Sequence, residues 1–94
     1  MVTMHNPAHP GEVLRAFLPE GISVTDVSKR MGVSRVQLSR LLNGHASMTA
    51  EMAVRVALLT RTSPESWMIN QVQWDLWQAG QKPAPAVVPL PKAA

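Results

Sequence analysis

The chain has no cysteine among its 94 residues, so neither a disulfide framework nor a thiolate metal site is open to it. That absence fits a reducing, cytoplasmic setting. The sequence also lacks any apolar run of the roughly 17–25 residues that a membrane-spanning helix needs. Its opening, MVTMHNPAHPG, has no basic start followed by an apolar stretch, so no signal peptide is expected. Alternating apolar and polar residues of the strand type are missing, and the expected class is all-α. Catalytic constellations are missing as well. The six acids are scattered, the serines have no base and acid paired with them, and no glycine-rich loop follows a strand. His5 and His9 stand four apart, but Pro7 and Pro10 argue against the helix that would align them, and Glu12 is the only acid nearby. Neither a metal nor a cofactor is expected, and the chain reads as a binding protein rather than an enzyme.

Hydrophobic residues make up 46% of the chain, enough for one compact core. A domain this small has a thin stability margin that dimerisation would improve. The net charge is +3, and all of it sits between Ile22 and Gly44. That segment holds Lys29, Arg30, Arg35 and Arg40 against Asp26 alone, while the remaining residues balance. A basic segment inside a balanced chain points to a polyanionic partner, although a merely solvated face has the same composition.

Five helices are expected. Residues 1–9 read as an extended arm. His9-Pro10-Gly11-Glu12 opens the first helix, with proline in the first turn and an acid near the positive end. Val13, Leu14, Phe17 and Leu18 supply its apolar side, and Pro19-Glu20-Gly21 ends it. Ser23 caps a second helix over about 24–31, which Gly32 stops. Ser34 caps a third over about 35–42, closed by Asn43-Gly44. Thr49 caps a fourth over about 50–59. Ser63-Pro64-Glu65 opens a fifth over about 64–79, closed by Gly80. From Gln81 the composition changes, with four prolines in the last fourteen residues. The expected division is a helical domain over 1–80 and a disordered, proline-rich tail over 81–94.

The segment 23–44 carries the chemistry. Two short capped helices are separated by Gly32-Val33, with apolar residues at Val27, Met31, Val33, Leu38 and Leu41. This spacing lets the helices cross steeply over a shared core, as in a helix-turn-helix. At ~100° per residue, Leu38, Leu41 and Leu42 cluster on one side of the third helix. Val36 and Arg40 point away from them, Gln37 and Ser39 flank these, and Arg35 sits at the exposed start. Arginine can donate two hydrogen bonds to guanine, glutamine can pair with adenine, and valine can touch a thymine methyl. Arg35, Val36, Gln37 and Arg40 are therefore the candidate base-reading residues. Ser34, Ser39, Lys29, Arg30 and Asn43 are candidates for phosphate or mixed contacts, which position without specifying. His45 reads as an isolated loop residue.

The fifth helix is apolar on more than one side. Trp67 and Trp74 form one stripe, and Met68, Ile69, Val72 and Leu76 another. One stripe suffices for a surface helix, so a second implies deeper burial or a partner. Trp67 is assigned to the core, and Trp74 and Trp77 are candidates for a dimer or partner surface. A twofold dimer would set two recognition helices about 34 Å apart, one DNA turn.

Segment 23–44 resembles the helix-turn-helix of the Cro/cI and XRE repressors. His9–Leu76, roughly 70% of the chain, resembles the HigA antitoxin family more closely. The matching pieces are HPGE at 9–12, MGVSRVQLSRLLNG at 31–44, TAEMAVRVALLT at 49–60 and TSPESWMINQVQWDL at 62–76. The resemblance implies a five-helix, lambda-repressor-like antitoxin of a type II toxin–antitoxin module. Such proteins dimerise, repress their own operon at a palindromic operator, and neutralise a RelE-like toxin that cleaves mRNA. It also implies base contacts at Arg35, Val36 and Arg40. Two positions depart from the superfamily pattern: Val24 stands where many members carry a phosphate-binding glutamine, and Ser28 replaces the usual alanine. A phage-like repressor without a toxin, or an interaction module that no longer reads DNA, would have similar residues.

Overall fold

Each helix starts where a side chain takes up an amide that the helix itself leaves unpaired. A computed structural model describes residues 6–92 and contains α1 (Pro10–Phe17), α2 (Val24–Met31), α3 (Arg35–Leu42), α4 (Ala50–Thr60) and α5 (Pro64–Gly80). Among the described residues there is no strand. The hydroxyls of Ser23, Ser34, Thr49 and Ser63 accept from the amides of Asp26, Gln37, Met52 and Ser66 at 3.0–3.2 Å. Caps of this kind stabilise a helix by about 0.5–2 kcal/mol each. The cap of α1 is His9, whose Nδ1 accepts from the Gly11 amide at 2.9 Å.

The core gathers Leu14, Val27, Leu38, Leu41, Met48, Val56 and Trp67. α1 lies against α3 and α5, α2 against α3 and α4, and α4 runs along α5. Trp67 packs beside Phe17 at 5.5 Å between ring centroids and donates its indole N–H to Thr62 Oγ1 at 2.7 Å. A buried tryptophan generally needs such a partner for its polar edge.

α1 crosses the end of α3 at Gly11. A Cβ at this position would overlap the carbonyl of Leu41, so the crossing exists only because glycine has none. The bend between α3 and α4 is pinned from α5, where the buried Gln71 accepts the Met48 amide at 2.6 Å and donates to Asp75 at 2.9 Å.

Two helix ends differ from the sequence expectation. α4 runs through Thr60, and Arg61 ends it in the left-handed conformation at φ 57°. No glycine or asparagine marks that stop. Gly80 is the last residue of α5 rather than a left-handed terminator, and Gln81 remains close to helical. Pro83 is the nearer cause of the ending, because it lacks an amide donor and disfavours helical backbone in the residue before it.

The expected arm 1–9 is described only from Asn6. Residues 6–9 have no regular structure, and Asn70 Nδ2 holds the Ala8 carbonyl at 2.9 Å. His5, one half of the possible histidine pair, lies outside the described residues. Beyond Gln81, residues 83–92 form no helix or strand and are exposed.

Candidate nucleic-acid interface

Gly32 makes the turn of the α2–α3 pair. It sits at φ 71°, ψ 32°, the left-handed conformation that glycine accepts without strain. The Gly32 amide closes back on the Lys29 carbonyl at 3.2 Å and the Val33 amide on the Ser28 carbonyl at 3.1 Å, the pair of bonds that ends a helix at a left-handed glycine. Val27 and Met31 of α2 meet Leu38, Leu41 and Leu42 of α3 in the core. With its leucine side inward, α3 holds Arg35, Val36, Gln37 and Arg40 outward, and all four are exposed. Val36 is 68% exposed. Ser39 is half-buried at the edge of this face.

The structure brings these groups together but does not leave all of them idle. Arg40 Nη2 donates to the His45 carbonyl at 3.1 Å, so its guanidinium lies back toward the α3–α4 bend. The contact is exposed and weak enough to exchange for a better acceptor. Lys29 is exposed. Arg30 pairs with Asp26 at 3.1 Å, one helical turn away, with both side chains largely in solvent. Such a pair is worth only about 0.3–0.5 kcal/mol and does not hold Arg30 against a phosphate. Ser34 accepts the Gln37 amide as cap, which leaves its own O–H to donate. Asn43 is the most committed of the set: its Oδ1 accepts from Arg15 Nη2 at 2.8 Å and its Nδ2 faces Ser39 Oγ at 3.3 Å.

Arg15 and Arg55 did not stand out in the sequence. Arg55 reaches from α4 to the Met31 carbonyl at 2.7 Å, and its Nη1 lies over Gly32. Each arginine therefore serves a helix end of the α2–α3 pair from a different helix. The carbonyls they hold, Leu42 for Arg15 and Met31 for Arg55, are backbone groups that carry no sequence signal.

Trp74 and Trp77 are the candidates for a dimer or partner surface. Both are half-buried, and Trp74 meets the His9 ring edge-on at 5.2 Å, with Trp77 next to it at 6.1 Å. Trp74 thus lies against its own α1 start. The open apolar stripe is Ile69, Val72 and Leu76, exposed by 57%, 51% and 58%. At ~100° per residue these three lie across the helix from Trp67, Gln71 and Trp74. Met68, which shares the sequence stripe with them, is drawn toward the core instead.

His9 is 7% exposed, and its pKa is lowered from the ordinary 6.5. Burial is the main cause, opposed by Asp75, by the Ala46 carbonyl and by Glu12. Its Nδ1 is occupied by the Gly11 amide, so it is not free to bind a metal. Among the described residues no three metal-ligating side chains gather, and no helix is long and apolar enough to cross a membrane.

Residues 14–67 match the helix-turn-helix family model. The chain is similar to antitoxin HigA-1 of Vibrio cholerae, with 37% identity over 93 residues that cover 94% of this chain and 88% of the relative. It is similar to the structure of an addiction module antidote protein of a HigA family from Coxiella burnetii, at TM-score 0.77 and 32% identity, covering 92% of this chain and 100% of that one. It is also similar to Pseudomonas aeruginosa antitoxin HigA with the higBA promoter, at TM-score 0.75 and 32% identity, covering 80% and 84%.

Proposed function

This chain belongs to the helix-turn-helix family, in the group that holds the HigA antitoxins, and we propose that it is an antitoxin that represses its own operon as a DNA-bound homodimer and neutralises a RelE-like, mRNA-cleaving toxin. The observation that carries the DNA-reading part is the outward side of α3, where donors and one apolar contact stand opposite a fully buried leucine side. That is the arrangement a helix needs to enter the major groove. In this proposal Arg35, Val36, Gln37 and Arg40 read base edges. Ser34, Ser39, Lys29 and Arg30 supply phosphate or mixed contacts, and Asn43 acts from the inner edge of the same face. The solved relative with promoter DNA supports the assignment of a duplex as partner.

The dimer is proposed on α5. Ile69, Val72 and Leu76 form an apolar stripe on the side away from the core, and a second copy of the chain would cover it. Trp77 borders that surface. A palindromic operator follows from such a twofold arrangement. The toxin part rests on kinship with HigA antitoxins, and co-purification with the product of a neighbouring open reading frame tests it.

Binding of the purified chain to DNA from upstream of its own gene tests the reading of bases. Arg40→Ala is expected to lower operator binding by about 1–3 kcal/mol relative to random DNA. Lys29→Ala should weaken both equally and flatten the salt dependence. Unchanged discrimination in Arg40→Ala would remove Arg40 from the base-reading set.

A further inference from the structure

α3 is eight residues long, too short to hold a helix by its own propensity. Its last four carbonyls have no partner within the helix. Three are met by the chain that follows: Ser39 by the Asn43 amide at 3.0 Å, Arg40 by the His45 amide at 2.8 Å and Leu41 by the Gly44 amide at 3.1 Å. The fourth, Leu42, is met by a side chain from another helix, Arg15 Nε at 3.3 Å. The same guanidinium donates through Nη2 to Asn43 Oδ1 at 2.8 Å, and Asn43 Nδ2 continues to Ser39 Oγ at 3.3 Å. Arg15 lies one turn beyond Gly11, on the side of α1 that rests on the Leu41 carbonyl. A cation at this end is also favoured by the helix dipole.

We propose that Arg15 is a positioning residue for DNA recognition. It fixes the C-terminal end of α3 and, through Asn43, the edge of the outward face at Ser39. Arg15 does not read bases; it sets the angle at which Arg35, Gln37 and Arg40 are presented. A planar fork does this where a point charge does not, because two acceptors are held at once. The proposal rests on α3 being the reading helix.

Arg15→Lys separates the fork from the charge. With both variants shown folded by circular dichroism at the assay temperature, Arg15→Lys and Arg15→Met are each expected to lose roughly 5- to 30-fold in operator binding. For Arg15→Lys, binding to random DNA and the slope of affinity against salt should stay as in the parent. Asn43→Ala should lose a similar factor, and combining it with Arg15→Met should add little further loss. If Arg15→Lys binds the operator like the parent while Arg15→Met does not, Arg15 is a phosphate contact and the positioning role is wrong. It is equally wrong if both variants keep the parent's ratio of operator to random binding. Arg35→Ala serves as the control on the underlying assignment. If it too leaves that ratio unchanged, α3 is not the reading helix, a failure distinct from that of Arg15.

Discussion

α3 and α5 both bury one side in the same core, yet their opposite sides differ in kind. Across from Leu38 and Leu41, α3 carries two arginines and a glutamine around a single valine. Across from Trp67 and Trp74, α5 carries Ile69, Val72 and Leu76. The core-facing sides are energetically alike, since both remove apolar surface from water. The outer sides suit different kinds of contact. Exposed donors lose little in water and gain directional hydrogen bonds against base edges. Exposed aliphatic groups gain only when a second apolar surface covers them. What faces away from the core therefore says more about function here than what faces into it.

Breaking the two sides of α5 separately should give the largest contrast. Trp67→Ala removes a 3%-exposed ring and its bond to Thr62, and should cost about 3–5 kcal/mol in chemical denaturation. Leu76→Asp on the outer stripe should change monomer stability by no more than about 0.5 kcal/mol while abolishing association in sedimentation experiments. An associating Leu76→Asp variant would take the dimer off this face.

Gly11→Ala comes next. The added methyl meets the backbone of α3 rather than a movable side chain, so α1 must shift. Overpacking of this type costs about 1–3 kcal/mol. Because the displaced element carries Arg15, discrimination between operator and random DNA should fall as well. A variant with full stability and full discrimination would show that the crossing tolerates a gap.

A smaller effect should appear with pH. Burial keeps His9 neutral in the fold, below its ordinary 6.5, although Asp75 and Glu12 attract the proton. Its Nδ1 lone pair is also needed to cap α1. The unfolded chain therefore takes up the proton first. The stability linked to His9 is present above 6.5, is lost as the pH drops from there through the folded value, and changes no further below it. Denaturation midpoints should decline as the pH falls below the ordinary 6.5, and His9→Asn, which keeps a capping acceptor, should flatten that decline. An equal decline in both proteins would place the proton elsewhere. The smallest effect is expected from truncation after Gly80. Residues 83–92 are exposed and outside any helix, so the change in stability should stay within about 0.5 kcal/mol.

The α2–α3 pair was legible because its signals are local. Ser23 and Ser34 bond amides three residues on, and Gly32 supplies a conformation that other residues resist. The inward leucines of α3 needed only helical spacing. Residues that bond across the fold were not legible. Arg15 and Arg55 bond carbonyls 27 and 24 residues away, and nothing in the sequence around them points to those carbonyls. Gln71 lies between two tryptophans on the buried side of α5, where a polar residue looks like an interruption until Met48 is brought to it. The edge-on approach of His9 to Trp74 was not legible either, because the two rings come from segments far apart in the chain.

The N-caps, the turn at Gly32 and the inner side of α3 were determined by the sequence itself, since they depend on steric and hydrogen-bonding choices within a few residues. Only the tertiary structure decided which apolar stripe of α5 stays open, where α1 rests on α3, and which arginines hold the helix ends. Those outcomes depend on packing between segments far apart in the chain, and no local preference encodes the distance between them.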